Sequence, residues 1–270
     1  MRKRTSESVQ NKDSGSAASL TRGLSVLRCF NAQDATLGNQ ELMERTGLPK
    51  ATVSRLTTAL IELGYLEYDE PLGRYRIGPA TVSLGYSGLS SMPVIRIAHP
   101  LMQDLADRTG AAIALGTRDG LEMVYLANCR AIGPVSLQLN VGSRLPILRT
   151  AMGLAYVAEM HEPKRVELVE WLVAKSPDDE EQIRTTVEHA VHEYESIGYI
   201  GSYGTWYSYI NAIGVAFRPL DGSQLVSLTC GGIVDVISQE ACRTTLRDNL
   251  LRTVERLRSI LEGRPDPGLN

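Results

Sequence analysis

A pair of short helical patterns joined by a tight turn, within residues 39–63, constrains the fold more than any other feature of this chain. Asn39 can cap the first helix, and Gly47 can end it because glycine adopts the left-handed conformation of a C-cap at little cost. Pro49 stands at the start of the second helix, where its missing N–H breaks no hydrogen bond. Two helices this close in sequence are typical of a helix-turn-helix.

The sequence on either side of this pair completes a larger unit. Upstream, Ser19 can cap a helix whose apolar residues recur at helical spacing. Downstream, two short alternating runs surround a turn at Pro71 and Gly73, which predicts a β-hairpin. Three helices followed by a hairpin predict a winged helix-turn-helix domain over residues 19–78.

The second helix of the pair, expected over residues 50–63, separates apolar from polar residues. Val53, Leu56, Leu60 and Leu63 fall on one stripe, and this pattern predicts burial against the two preceding helices. The polar residues face elsewhere and are free for another task.

Polar residues suited to DNA stand near the start of this helix and on the hairpin. A recognition helix enters the major groove by its N-terminal end, where hydroxyls and cations reach phosphates and base edges. Arg55 can pair with guanine through two hydrogen bonds or clamp a phosphate, and Lys50 suits a phosphate. The predicted DNA-binding residues are Lys50, Thr52, Ser54, Arg55, Thr58, Arg74, Tyr75 and Arg76.

Net charge supports DNA binding only weakly. Residues 19–78 carry seven basic and seven acidic side chains, and the chain has a formal charge of −3. A dedicated nucleic-acid binder is usually strongly basic. The alternative interpretation is a three-helix packing unit with solvated charges, but the hairpin and the spacing favour DNA, held by a few well-placed cations.

The remaining sequence predicts three further segments. Residues 1–18 are polar and serine-rich, which predicts a disordered arm. Residues 79–91 predict a linker helix that Pro79 opens, and residues 92–265 mix strand-like and helical patterns, so the predicted fold class is α+β with a largely antiparallel sheet. Strand-like runs cover residues 112–117, 122–127, 135–139, 212–218 and 225–230, and helical patterns cover roughly residues 93–108, 150–160, 163–174, 179–196 and 238–262.

Composition excludes several classes of protein. The four cysteines are scattered and lack ligand spacing, which argues against a disulfide framework or a zinc site. The basic start lacks the apolar core of a signal peptide. Residues 197–217 are uncharged but rich in glycine and hydroxyl groups, so a membrane span is rejected. We expect a cytoplasmic protein without metal or cofactor.

Several stretches of the chain resemble the IclR family of regulators over about residues 19–262. The stretches are Ser19-Leu-Thr-Arg-Gly-Leu-Ser-Val-Leu-Arg-Cys-Phe, Thr46-Gly-Leu-Pro-Lys-Ala-Thr-Val-Ser-Arg-Leu, Gly73-Arg-Tyr-Arg-Ile-Gly-Pro, Val141-Gly-Ser-Arg-Leu-Pro, Thr150-Ala-Met-Gly-Leu-Ala, Gly198-Tyr and Gly231-Gly. The resemblance implies a winged helix, a dimerising linker helix and a GAF-like effector-binding domain. It also implies dimers or tetramers that repress or activate catabolic operons. The chain departs from the family pattern at Ala51, Ser54 and Leu154.

The resemblance also implies an effector pocket in the second domain. The residues around Thr150 begin a helix whose free N–H groups can hold a carboxylate. Polar side chains that the family often carries at Ser202, Ala212 and Gly231 are shortened or absent here. The predicted effector-binding residues are Thr150, Ala151, Met152, Gly153, Ser202, Trp206, Ala212, Thr229 and Gly231.

An aromatic run over residues 194–209 contains five tyrosines and Trp206. These rings can line a pocket for an aromatic or longer acyl ligand, or they can pack a sheet edge or a subunit interface, and the sequence leaves both interpretations open. We expect the effector to be a small organic acid, with an aromatic or extended acid preferred.

Two classes of function follow from these observations. The leading hypothesis is a transcriptional regulator that binds double-stranded operator DNA as a dimer or tetramer under control of an organic acid. The alternative is a ligand sensor or enzyme whose winged helix only contacts other proteins. An enzyme is disfavoured because Cys230 has no histidine placed to activate it, and His189 with His192 supplies too few ligands for a metal.

Overall fold

The chain divides into two compact units, residues 1–89 and 90–270. The structure is a computed structural model that describes residues 7–31, 34–131, 139–219 and 224–268, with side chains from residue 17 onward. Each unit has a buried apolar core of its own. The division falls at the end of the helix that the sequence predicts as a linker.

The first unit is a winged helix, as predicted. Its elements are α1 (Glu7–Leu27), α2 (Asn39–Thr46), α3 (Lys50–Glu62), β1 (Leu66–Asp69), β2 (Arg74–Ile77) and α4 (Pro79–Ser90). The strands β1 and β2 form an antiparallel hairpin in which Leu66 pairs with Ile77. The core between the helices and the hairpin is built mainly from Val26, Leu37, Leu42, Val53, Leu56 and Leu66.

The buried stripe of α3 differs from the prediction at its end. Leu63 is 66% exposed, and Thr57 is buried in its place. The helix ends at Glu62, and Gly64 has a φ of +75°, so the chain turns away before Leu63 can join the stripe. The Thr57 hydroxyl donates to the carbonyl of Val53 at 3.1 Å, which allows a polar side chain to be buried there.

Helix α1 begins at Glu7, whereas the sequence predicted a disordered arm through residue 18 and a helix from Ser19. Residues 7–18 are therefore helical, and residues 1–6 lie outside the described residues. The physical reason is cooperativity. Nucleation is the costly step of helix formation, so a turn stabilised by packing near Val26 allows the helix to extend toward the N-terminus.

The second unit is an α+β domain around one antiparallel sheet, as predicted. Its helices are α5 (Pro93–Thr109), α6 (Ala151–Glu159), α7 (Glu162–Lys175), α8 (Glu180–Ile197), α9 (Gln239–Ala241) and α10 (Arg247–Leu261), with a π-helical segment at Cys242–Leu246. Its strands are β3 (Ala112–Asp119), β4 (Glu122–Cys129), β5 (Arg144–Pro146), β6 (Ile200–Tyr203), β7 (Ile210–Phe217) and β8 (Val226–Ile233). The strand order is β5-β4-β3-β8-β7-β6.

The short edge strands β5 and β6 were not among the strands predicted from alternation, since three or four residues carry too little alternation to be recognised. The predicted strand over residues 135–139 lies, except for Leu139, outside the described residues. No helix in the described ranges is both long and apolar enough to cross a membrane.

The start of α6 lies very close to the sheet. A Cβ atom added at Gly214 of β7 would lie 2.6 Å from the carbonyl oxygen of Ala151, and one added at Gly153 would overlap the carbonyl oxygen of Ile147. A side chain at Gly214 would push α6 away from the sheet, and one at Gly153 would push the helix away from the segment that leads into it. The glycines therefore fix the N-terminal end of α6 above β7.

Candidate functional site

The N-terminal half of α3 presents two exposed cations. Pro49 occupies the N-cap position, and the side chains of Lys50 and Arg55 are exposed. Among the described residues neither side chain forms an ion pair within 4.0 Å. Thr52, on the same half of the helix, is partly exposed. This end of α3 therefore offers two cations and a hydroxyl to an anionic partner.

Ser54 and Thr58 have local hydrogen bonds that reduce their freedom. The Asn39 amide of α2 donates to the Ser54 hydroxyl at 3.4 Å, so Ser54 lies partly buried at the contact between α2 and α3. The Thr58 hydroxyl donates to the carbonyl of Ser54 at 2.9 Å.

The sequence predicted Asn39 as the cap of α2. In the structure Asn39 is the first residue of this helix, and Gly38 takes the cap position.

Arg74, predicted as a DNA contact, connects the wing to the helical part of its unit. Its Nε donates to the Thr36 hydroxyl at 2.9 Å, and its Nη2 donates to the carbonyl of Thr36 at 2.9 Å. The same Nη2 lies 2.8 Å from Oε2 of Glu41. Most of the donors of Arg74 are therefore occupied within the protein.

The other two wing residues differ in exposure. Arg76 is exposed and pairs with Glu67 across the hairpin at 2.8 Å, an arrangement that water screens. Tyr75 is partly buried against the core, its backbone pairs with Leu37, and its ring centroid lies 5.1 Å from that of Tyr68. Arg76 is thus the wing cation that remains most accessible.

Glu41 has an unusually favourable environment for a surface carboxylate. The backbone N–H of Gly38 donates to its Oε2 at 2.7 Å, and Arg74 approaches the same group. These hydrogen bonds, that of Gly38 first and that of Arg74 second, lower the pKa of the Glu41 carboxyl. One carboxylate therefore stabilises both the start of α2 and the base of the wing.

A cavity in the second unit lies between the sheet and the start of α6. It contains about 620 Å³ of atom-free space, including its mouth. The residues that line it are Ala112, Ile113, Ala114, Tyr125, Asn128, Arg130, Leu139, Leu145, Thr150, Ala151, Met152, Ser202, Trp206, Ile210, Ala212, Thr229 and Gly231. The predicted effector-binding residues, except Gly153, thus lie around one cavity.

The floor of the cavity exists because small residues align across four strands. Ser202 pairs with Ala212, Ala212 pairs with Gly231, and Gly231 pairs with Ala112. Residues that are directly opposite in neighbouring strands point to the same face of a sheet. Larger side chains along this row would occupy the space, so its composition of small residues produces the cavity.

Gly153 does not line the cavity, and the reason is its role in α6. Its backbone N–H donates to the hydroxyl of Thr150, the N-cap residue, at 3.2 Å. The Thr150 hydroxyl in turn donates to the carbonyl of Pro146 at 3.1 Å. Among the described residues, the N–H groups of Ala151 and Met152 at the start of α6 have no acceptor and remain available to a ligand.

The aromatic run divides between the two interpretations that the sequence left open. Trp206 lines the cavity, and Arg149 holds its loop by donating to the carbonyl of Trp206 at 3.3 Å. Tyr207 and Tyr209 are exposed and stack with ring centroids 5.4 Å apart. Tyr194 is bound elsewhere, donating to the carbonyl of Ala216 at 2.8 Å. Only one ring of the run therefore faces the cavity.

Tyr125, Asn128 and Arg130 line the cavity and were not predicted. In a regular strand Tyr125 and Asn128 would face opposite sides, but the register shifts between Leu115 and Gly116 of β3. Because of this bulge Tyr125 pairs with Gly116 on the cavity face. The position of Arg130 could have been inferred from the sequence. It follows a predicted strand and stands two residues after Asn128, and residues two apart in a strand lie on the same face.

Tyr125 places a desolvated hydroxyl beside Thr229. Removal from water raises the pKa of Tyr125 to about 12, while the nearby charge of Arg130 and the Thr229 hydroxyl act in the opposite direction. Tyr125 is therefore a neutral hydrogen-bonding group at physiological pH.

Other candidate sites receive no support from the geometry. Cys230 is buried in β8, and burial raises the pKa of its thiol to about 12, which suits a packed side chain rather than a nucleophile. In the described part of the chain, no three His, Cys, Asp or Glu residues are grouped so that they can hold a metal ion.

Comparison with known families gives a match over both units. The sequence model of the IclR helix-turn-helix domain matches residues 19–70. The model of the C-terminal domain of bacterial transcriptional regulators of the IclR type matches residues 86–258. The two matches together cover most of the chain.

Similar proteins agree with this match. The HTH-type transcriptional regulator TsaQ1/TsaQ2 of Comamonas testosteroni is 35% identical over 219 residues, which is 80% of this chain and 78% of that protein. The crystal structure of an IclR family transcriptional regulator from Brucella abortus has a TM-score of 0.79 and 36% identity, over 90% of this chain and 92% of that chain.

A more distant structure contains a ligand. It is an IclR homolog from Microbacterium hydrocarbonoxydans complexed with 4-hydroxybenzoate, with a TM-score of 0.70 over 91% of this chain and 99% of that chain. At 21% identity this likeness shows the fold alone.

Proposed function

The chain belongs to the IclR family of transcriptional regulators, and from that premise we propose that a small organic acid in the sheet cavity controls its affinity for operator DNA. The family assignment makes it a DNA-binding regulator and not an enzyme. The observation that carries the proposal is the cavity itself, which gathers predicted effector-binding residues from three strands and α6 at one place.

The chemistry of the cavity favours an acid with an apolar body. Its walls include Leu139, Leu145 and Ile210, and Trp206 adds an aromatic face. The N–H groups of Ala151 and Met152, which have no acceptor among the described residues, can donate to a ligand oxygen at the positive end of α6. The distant homolog that binds 4-hydroxybenzoate makes an aromatic acid the first ligand to test.

For the DNA interface we propose Lys50, Thr52 and Arg55 of α3 together with Arg76 of the wing as direct contacts. Their exposure supports this assignment, while Ser54 and Thr58 are placed at its margin by their own hydrogen bonds. Arg74 and Tyr75 act by holding the wing in position.

We propose that the protein binds DNA as a dimer, or as a tetramer built from two dimers. A single copy offers few cations, and two copies would place two recognition helices about 34 Å apart on a symmetric operator. Exposed apolar residues of α4 support association, since Val82, Leu84 and Tyr86 are 65%, 63% and 73% exposed. The protein then acts where operator DNA lies, in the bacterial cytoplasm.

The effector must discriminate between two states of the regulator. A ligand with equal affinity for the DNA-competent and DNA-incompetent states does not shift the equilibrium between them, however tightly it binds. If the enzymes encoded by the regulated genes degrade this acid, the operon is catabolic. The sign of regulation depends on which state the acid prefers.

The test is a fluorescence-anisotropy titration of the full chain against DNA fragments from upstream of its own and neighbouring genes. We expect binding to one fragment with affinity that falls steeply with added salt, because phosphate contacts release counterions. At fixed salt, 4-hydroxybenzoate or a related monocarboxylate should change that affinity. If organic acids of this class bind the protein and leave operator affinity unchanged, control by the cavity is refuted.

A further inference from the structure

Arg130 carries the one formal charge among the described residues that line the cavity. The other lining side chains are apolar or neutral, and the set contains no Asp, Glu, His or Lys. A charge that faces an apolar cavity is costly unless an opposite charge pairs with it. No acidic side chain among the described lining residues balances the positive charge of Arg130.

The Arg130 guanidinium has a fixed orientation. Its Nη2 donates to the carbonyl of Leu139 and to Oδ1 of Asn140, the latter at 3.2 Å. The amide of Asn128 donates to the same Leu139 carbonyl at 3.0 Å. Among the described residues, the N–H groups at Nε and Nη1 of Arg130 have no acceptor, so these donors are available to a ligand.

Hydrogen-bonding groups concentrate at the Arg130 end of the cavity. Asn128 pairs with Ala114, Ala114 pairs with Thr229, and Tyr125 lies beside Thr229. The neighbouring row of small residues that forms the floor offers no charged side chain. Arg130 and Asn128 thus give one part of the cavity a cationic and polar lining, beside walls that are mainly apolar.

We propose that Arg130 binds the carboxylate of the effector and thereby selects monoanionic acids with a flat apolar body. This inference rests on the proposed function in one respect, since it takes the cavity to be the effector site. The guanidinium of Arg130 carries a full positive charge and can donate a charge-assisted hydrogen bond to a carboxylate, whereas the start of α6 supplies only partial charge. A dianion would leave one negative charge unpaired in the apolar body.

The test compares an acid with its neutral analogue. Isothermal titration of the full chain with 4-hydroxybenzoate and with 4-hydroxybenzamide gives the contribution of the ligand charge. The variants are Arg130→Gln, Arg130→Lys and, as a matched control, Arg184→Gln, which breaks exposed ion pairs of α8 with Glu170 and Glu180. Thermal unfolding of each variant verifies that the fold is kept.

The native chain should bind the acid more tightly than the amide. Arg130→Gln should lower the affinity for the acid by about ten- to a hundredfold, as expected for a lost charge-assisted hydrogen bond. The same substitution should change the affinity for the amide by less than about threefold. Arg130→Lys keeps the charge but loses the planar guanidinium that Leu139 and Asn140 orient, so its affinity for the acid should lie between those of the native chain and Arg130→Gln. Arg184→Gln should leave both affinities unchanged.

Three results would overturn the assignment of Arg130. The first is an acid-to-amide ratio that is the same in the native chain and in Arg130→Gln, because the carboxylate would then lie elsewhere, as at the start of α6. The second is equally tight binding of a dianion such as terephthalate. The third is the absence of binding of either probe by the native chain. Acid binding that depends on Arg130 without any change in operator affinity would instead refute the proposed function alone.

Discussion

Arg74 of the wing and Glu41 of α2 form an ion pair, with 2.8 Å between Nη2 and Oε2. The same arginine holds Thr36, and the same carboxylate accepts from the N–H of Gly38. The hairpin and the helix that precedes the recognition helix are therefore linked through two side chains. This linkage explains why a wing with two arginines leaves only Arg76 accessible to DNA.

The Glu41 carboxylate predicts a pH dependence of stability. Its pKa is lowered below the ordinary value of 4.5 in the folded chain, so its contribution is fully present above the unfolded pKa and is lost as pH falls through the folded pKa. Glu41→Gln should therefore lower Tm by roughly 1–3 °C at neutral pH, and the difference should shrink below about pH 4.5. Thermal melts between pH 3.5 and 8 measure this.

Glu67→Gln is the matched control for that series. It removes the partner of Arg76 in a pair whose side chains are 53% and 44% exposed, so it should change Tm very little at any pH. Equal effects of the two substitutions, or a Glu41→Gln effect that grows at acid pH, would contradict the role given to Glu41.

The fold was predictable wherever a long periodic pattern met clear end signals. Gly47, Pro49 and Gly64 bound the helix-turn-helix in the sequence and in the structure alike. The failures came where tertiary context decides. Leu63 fits the apolar period of α3 but falls after the helix has ended, and Thr57 is buried because its hydroxyl bonds within its own helix.

The site shows the same division. Small residues on the cavity floor, such as Ala212 and Gly231, were identified through the family resemblance, and the structure brings them together. Tyr125 was missed because a bulge reverses the alternation on which strand interpretation depends. The ion pair of Arg74 was missed because its partner stands far away in the sequence, where no local pattern reports a contact.

Arg55 should make the largest single contribution to operator binding among the exposed residues of α3. Arg55→Ala removes an exposed cation without breaking an ion pair among the described residues, and should cost about 1–3 kcal/mol of binding free energy. Gel-shift titration at fixed salt measures this. Arg96→Ala, at an exposed position of α5 in the other unit, serves as the control and should bind like the native chain. Unchanged binding by Arg55→Ala would remove this residue from the interface.

Cys230 should be chemically silent in the folded protein. With a thiol pKa raised to about 12 by burial, Cys230 is almost entirely in the unreactive thiol form at pH 8. A thiol reagent followed by mass spectrometry should leave Cys230 unlabelled until denaturant is added. The partly exposed Cys29 provides the internal comparison. Rapid labelling of Cys230 under native conditions would reopen its interpretation as a nucleophile.

Filling the cavity should separate ligand binding from DNA binding. Ala212 lies on the cavity floor between Ser202 and Gly231, so Ala212→Leu places a branched side chain in the space for the ligand. Effector affinity should fall by at least about tenfold, since the added side chain occupies space that the ligand needs. Operator affinity without ligand should stay unchanged. Ala174→Leu, at an exposed position of α7, should leave both affinities intact, and loss of operator binding in Ala212→Leu would imply a wider structural change.

Trp206 should report ligand binding directly. The chain has two tryptophans, and Trp206 lines the cavity whereas Trp171 is 46% exposed on α7. A ligand that enters the cavity removes water from the Trp206 ring and alters its emission, while Trp171 keeps its environment. The emission change on adding an aromatic acid should therefore persist in Trp171→Phe and disappear in Trp206→Phe, with binding in both variants verified by calorimetry. A change that survives in Trp206→Phe would place the ligand outside this cavity, because no other tryptophan can sense it there.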